Sequence, residues 1–368
     1  MPTAIYEAVD FASLPHWQDG AGQREAIVAF AESREAFRIS AEMPVAAERR
    51  ELIARLVDLS AQAAVLADGG CDDEQARLFF EQHFRPHRVI HSESQGLLTG
   101  YYEPVVRAAR TRSAQFCSPL FLRPPDLVDL TKDRALTVDG VPFSHARMNA
   151  DTLEPYPARA EIEKGCLNAL ELEFAYLEDP VDAYFMQVQG SGVLKFSDDE
   201  FIRIGYDGKN GHPYTSIGRL LIDQGVIAPE DMSLQSLGEW LRADLKRGQA
   251  LMRANSSFVF FKELGRAEDV RATGVYDTPL KAGTSLAVDQ TFHQIGIPVF
   301  VSSDSLGHAP WCPGAFQRLM IAQDVGSAIV GPERGDVFFG SGDQAGATAG
   351  ITANMGNFTV LLPKELSA

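Results

Sequence analysis

Two carboxylates stand at the facing ends of two apolar runs. Leu319 to Ala322 leads to Asp324, and Asp336 opens Val337-Phe338-Phe339, which stops at Gly340. The pattern reads as strand, turn-rich loop, strand, with an acid at each inner end. Two acids aimed at one place suit general acid and base chemistry, in which a carboxyl gives a proton to a leaving oxygen and takes one from the attacking group. Asp289, where Ser285 to Val288 gives way to a turn, is a third strand-end aspartate in the last quarter of the chain. Aspartate near glycine is also ordinary turn chemistry, so each acid alone has a purely structural reading.

Two other stretches carry groups suited to sugars. AYFMQVQGSGVLKF, Ala183 to Phe196, reads as a hairpin turning through Gly190-Ser191-Gly192. Its polar edge of Gln187, Gln189, Gly190 and Ser191 offers paired donors and acceptors to hydroxyl and N-acetyl groups, although a solvated hairpin would carry the same residues. LLTGYYEP presents Thr99, Tyr101, Tyr102 and Glu103. A tyrosine face stacks on a pyranose ring, and each tyrosine reads equally well as core packing. Glu103 is a candidate second carboxylate whose pairing with Asp336 would favour hydrolysis. His212 and His293 lack a second ligand at metal spacing and read as solvated or core histidines. Trp311 is a loop anchor or a further sugar platform.

AVDQTFHQIGIPVFV and AQDVGSAIVGPERGDVFFGSGDQAG resemble the C-terminal 3D (three-aspartate) segment of the MltA-type lytic murein transglycosylases. LLTGYYEP and YFMQVQGSGVLKF match the same family in the same order, so the resemblance runs from about Gly96 to the C-terminus. It implies a mainly β fold with peripheral helices: a double-psi β-barrel interrupted by a smaller inserted β-rich domain, with a substrate groove between them. It implies cleavage of the β-1,4 bond between MurNAc and GlcNAc, without metal or organic cofactor, leaving 1,6-anhydroMurNAc. Asp336 matches the catalytic aspartate in a GDxFxG-like setting, with Asp324 and Asp289 as support. Small and apolar neighbours (Gly335, Val337, Phe338) would keep Asp336 protonated, while backbone N–H groups would hold the other two ionised. Ser327 departs from the family pattern, which would place a second glycine there. A hydrolase using Asp336 with Asp324, and a polysaccharide-binding protein that does not cut, are the competing readings.

Composition narrows the partners. The 368 residues carry a formal charge of −17, against sequence-independent nucleic-acid binding and against a polybasic membrane patch. The partner implied by the resemblance is the peptidoglycan glycan strand, itself partly anionic; complexes with cell-wall synthases or hydrolases and the oligomeric state stay open. No run is long enough to read as a transmembrane helix. The first residues lack the basic and apolar regions of a signal peptide, so a periplasmic, outer-membrane-associated location rests on the resemblance. Cys71, Cys117, Cys166 and Cys312 show no CxxC spacing and read as ordinary thiols.

The elements that must position these groups follow from periodicity. Residues 1–40 read as a surface lead-in with a helix near Arg24 to Phe37. Leu52, Leu56 and Leu59 lie on one helical face, and Asp72 or Asp73 caps a second helix bearing Ala76, Phe79 and Phe80. Pro157 to Pro180 contains a helix-like segment around Cys166 to Leu172. Phe201 to Tyr206 alternates as a strand, Gly205 to Tyr214 is a glycine-rich loop, and helices follow Ser216 and Ser233. The domain reading is residues 1–105 with 255–368 as the barrel and 106–254 as the insertion.

Overall fold

The computed structural model describes residues 4–92, 96–130, 135–150, 152–197, 200–311 and 314–364. The sulfhydryl of Cys312 lies outside the described residues, while Cys71, Cys117 and Cys166 are free thiols. The chain divides into two units. The first comprises Met1–Tyr102, Ala272–Gly340 and Ile351–Ala368, and the second Glu103–Arg271 with Ser341–Gly350.

In the first unit, the apolar runs read as strands close into a ring. Going round it, Gly96–Glu103 neighbours Arg334–Ser341, then Ser285–Val288, Phe316–Asp324, Pro298–Ser303 and Ala353–Pro363, which pairs back onto Gly96–Glu103 through Ala353 and Thr99. Closure leaves these six strands without a free edge. Ala353–Pro363 is long enough to serve two partners, since Thr359 to Pro363 also pairs with Phe84–Ile90. The ring is packed tightly at Gly335, where an added Cβ would sit 2.6 Å from the Phe358 ring and close to Leu286 and Leu98.

Helices Gln23–Glu32, Arg34–Glu42, Ala47–Asp68 and Asp73–His83 bury Phe30, Phe37, Leu56, Leu59 and Phe80 in a cluster with Phe300, Leu319 and Ile321 of the strands. From Leu14 onward the expected surface lead-in is therefore core-forming, with Trp17, Phe30 and Phe37 at most 1% exposed. The helix expected near Arg24 to Phe37 is two helices meeting at Ser33. Asp72 is the cap of the fourth: its Oδ1 accepts the Gln75 N–H at 2.8 Å while the Gln75 side chain accepts the Asp72 N–H at 3.1 Å.

The second unit is built on a six-stranded sheet in the order Val259–Arg266, Phe201–Lys209, Ser191–Lys195, Val105–Ala109, Glu173–Leu177, Ser118–Phe121. Helices Pro180–Gln189, Ile217–Asp223, Leu234–Ala243 and Leu245–Met252 gather Tyr184, Phe185, Leu221 and Leu241 into their own core. The hairpin expected around Gly190 is instead a helix followed by a strand. Asp179 caps the helix by accepting the Val181 N–H at 2.8 Å, Pro180 occupies its first turn, and Gly190 ends it at φ +78°. Two other expectations change. The strand from Phe201 runs through Lys209 into the expected loop, where Gly208 and Gly211 do take positive φ. The helix-like segment around Cys166 to Leu172 is a single 3-10 turn at Asn168–Leu170, preceded by a short helix at Arg159–Ile162 and followed by a strand from Glu173.

Candidate active site

The central strand Ser285–Val288 brings the two acids together. Ala287 pairs with Asp336 on its antiparallel side and with Asp324 on its parallel side, so both aspartates flank one residue. Two strand spacings separate their Cα atoms, about 10 Å. The register shifts between Leu286 and Ala287, a bulge that turns Asp324 and leaves Gln323 over. Gln323 is fully buried, accepting from Ser285 Oγ at 2.5 Å and donating to the Ala29 carbonyl and Ser33 Oγ, both at 3.0 Å. That anchor fixes the bulge, and with it the aim of Asp324.

Asp336 is half-buried, and burial raises its pKa from 3.8 against two opposing influences, the Arg334 guanidinium and a hydrogen bond from Thr99. The Thr99 hydroxyl donates to Oδ1 at 2.6 Å, and Arg334 Nη2 donates to that same hydroxyl oxygen at 2.8 Å. Arg334 is further pinned by Nη1 to the Gly335 carbonyl at 2.6 Å. A directional chain thus runs from guanidinium through hydroxyl to carboxyl.

Asp324 is pushed up to about 7 by burial, although Val325 N–H at 2.9 Å, Tyr101 and Val275 N–H at 3.1 Å favour its charged form; the nearby charge of Asp336 adds a smaller upward push. The expected N–H bonds are present, but they do not keep it an ordinary carboxylate, because removal from water outweighs them. Its cradle is tight and bent. A Cβ on Gly274 would lie 3.0 Å from Asp324 Cγ, and the neighbouring Tyr276 and Asp277 take φ +57° and +53°, conformations that L side chains rarely adopt. The Tyr101 hydroxyl is buried and turned toward Asp324, without regular hydrogen-bond geometry. Burial and the charges of both aspartates raise its pKa well above 10.0, so it stays a neutral phenol. Its ring packs on Phe338, centroids 5.1 Å apart.

Asp289 follows the C-terminal end of the same strand, two residues beyond Ala287, and faces a turn. It accepts Thr291 N–H at 2.9 Å, Thr291 Oγ1 at 2.7 Å and Gly331 N–H at 2.8 Å, tying down the loop that leads into Arg334 and Asp336. Glu103 belongs to the second unit. It is fully buried, its two oxygens held by Arg203 Nε at 2.8 Å and Nη2 at 2.9 Å, with Ser341 Oγ on Oε2 at 2.6 Å. Gln187 is buried on its helix, Gln189 is half-buried at the helix end, and Gly190 and Ser191 follow it into the strand. Tyr102 is half-buried. His293 is buried against the Pro332 carbonyl at 2.6 Å, and His212 faces the Tyr156 carbonyl at 2.8 Å. Trp311 packs on Phe339 at 5.2 Å between centroids, the arrangement of a loop anchor.

Arg334, the partner that sequence reading missed, carries one usable signal: it lies two residues before Asp336 and so on the same strand face. Among the described residues no three His, Cys, Asp or Glu side chains are grouped as metal ligands.

Two family models match the chain: an MltA specific insert domain over residues 97–262 and a 3D domain over residues 284–362. Membrane-bound lytic murein transglycosylase A of Escherichia coli K12 is 34% identical over 266 residues, which are 72% of this chain and 64% of that protein, so the match spans less than two thirds of the relative's length. A crystal structure of a membrane-bound lytic murein transglycosylase from Agrobacterium tumefaciens superposes with a TM-score of 0.86 at 34% identity, covering 98% of both chains. The crystal structure of E. coli MltA with bound chitohexaose gives 0.68 at 26% identity, covering 99% of this chain and 95% of that one.

Proposed function

The chain belongs to the MltA family, and on that premise we propose that it is a peptidoglycan lytic transglycosylase with Asp336 as its single acid/base. The observation that carries this reading is the setting of Asp336 on a ring strand, where burial raises its pKa and Thr99, itself held by Arg334, orients its carboxyl. Asp336 gives its proton to the glycosidic oxygen leaving C1 of MurNAc. The C6 hydroxyl of the same MurNAc attacks C1, and the Asp336 carboxylate takes the hydroxyl proton, so the acid is regenerated and no water is consumed. The product ends in 1,6-anhydroMurNAc.

Asp324, close to half-ionised near neutrality, would offset positive charge developing at the sugar ring, and Tyr101 would supply a neutral donor beside it. Asp289 is assigned a supporting role through the loop it ties. Tyr101, Tyr102, Gln189, Gly190 and Ser191 are the residues assigned to glycan contacts, as chitohexaose bound to E. coli MltA suggests an oligosaccharide ligand. The parallel ladder between Ser285–Val288 and Phe316–Asp324 supports reading the ring as a double-psi β-barrel. The location proposed is periplasmic and outer-membrane-associated, which relatives named membrane-bound support. Among the described residues no helix is long and apolar enough to cross a membrane.

Mass spectrometry of the soluble products from sacculi, with wild type and Asp336→Asn side by side, tests the reading. Products lighter than hydrolytic ones by one water, lost in the variant, are expected. Reducing-end products would replace it with a hydrolase using Asp324, and bound but uncut sacculi with a binding protein.

A further inference from the structure

The second unit holds a cavity of about 520 Å³ that the proposed reaction does not use, within the roughly 300–1,000 Å³ of small-ligand sites. It is lined by Gln187, Tyr184, Phe258, Arg112, Lys164 and Glu173 among others. Gln187 is 6% exposed, and its side-chain oxygen is buried with no hydrogen-bond partner. A buried acceptor left so is unfavourable unless something donates to it. The turn of the helix explains the placement: Gln187 and Gln189 lie about 200° apart around the axis, so the first turns inward while the second is only half-buried.

The charges of the lining are of both signs and available. Arg112, Lys164 and Glu173 have no ion-pair partner among the described residues, whereas Arg159 is already held by the carbonyls of Asn255 at 3.0 Å and Ser257 at 2.6 Å, and Arg253 by Glu163 at 2.7 Å. The cavity therefore offers two cations for carboxylates, one carboxylate for an ammonium, a neutral acceptor for an amide N–H, and aromatic wall. A bare neutral glycan would use little of that, and a purely anionic ligand would meet Glu173. A short amphoteric peptide uses all of it.

We propose that this cavity binds the peptide stem of peptidoglycan, with Arg112 and Lys164 taking its carboxylates, Glu173 its side-chain ammonium and Gln187 Oε1 a backbone amide. The choice of stem over other amphoteric peptides rests on the transglycosylase reading; the peptide chemistry does not. The test is calorimetric titration of the full chain with the free tetrapeptide L-Ala-γ-D-Glu-meso-diaminopimelyl-D-Ala, with no glycan present, so that binding is scored whether or not the chain cuts glycan. Saturable binding is expected. It should weaken tenfold or more in an Arg112→Glu/Lys164→Glu variant, whose exposed positions leave the core untouched. The blocked neutral peptide acetyl-Ala-Ala-Ala-amide should not compete. No binding by the wild type, unchanged affinity in the variant, or equal affinity for the neutral peptide would each overturn the proposal. In parallel, stem-free glycan should be cut by wild type and variant at the same rate; loss of cutting in the wild type would count against the transglycosylase and not against the cavity.

Discussion

The carboxyl of Asp336 is governed by opposing influences of known sign. Burial raises its pKa, and Arg334 and the Thr99 hydrogen bond lower it. The acid form is the one that donates to a leaving oxygen, so its pKa sets the alkaline limb of kcat/KM. Thr99→Val removes the hydroxyl at nearly constant shape. Asp336 then loses a bond that favours its charged form, its pKa rises further, and the alkaline limb should move to higher pH while activity at the optimum falls about tenfold from looser aim. A limb that moves to lower pH would show that Thr99 favours the neutral acid instead. Both strand-end aspartates were legible because an apolar run that stops at an acid is a local signal. Arg334 was not, since a cation near a turn looks like any solvated side chain until the strand places it beside Thr99.

The elements differ in how much a linear reading could recover. The ring strands announced themselves by apolar runs, and the fourth helix by its cap, because both signals are short-range. Pro180–Gln189 was misread because Gly190-Ser191-Gly192 is a strong turn signal. The opposing signs, Asp179-Pro180 and apolar positions at Val181, Tyr184 and Phe185, needed a period of 3.6 to be noticed. The bulge at Gln323 is invisible in sequence, because it exists only in the pairing of Ser285–Val288 with Phe316–Asp324. Between such elements Gly335 is a checkable point of contact. Its missing side chain lets Arg334–Ser341 lie against Phe358, Leu286 and Leu98. Gly335→Ala should therefore lower stability by about 1–3 kcal/mol through overpacking, read as a lower denaturant midpoint at unchanged m. It should also reduce turnover at temperatures where the variant is folded, because Asp336 is the next residue. An unchanged midpoint would mean that the ring is looser there than its contacts indicate.

At the scale of the whole molecule, a formal charge of −17 meets a polymer that is itself partly anionic. Long-range repulsion of this kind slows encounter and is screened as the Debye length shrinks from about 30 Å at 0.01 M salt to about 8 Å at 0.15 M. The cations that would hold carboxylates are local exceptions on an acidic background, and contacts at hydrogen-bond range respond to salt in the opposite sense. The two regimes can be separated by ligand size. For intact sacculi kcat/KM should rise several-fold between 0.01 and about 0.15 M salt, because encounter with a large anionic surface dominates. For the free stem tetrapeptide affinity should fall over the same range, because paired charges dominate and the ligand is too small to feel the whole field. Activity on sacculi that instead falls steadily with salt would place the control of binding in a cationic patch and not in the net charge. A stem peptide insensitive to salt would remove Arg112 and Lys164 from its recognition.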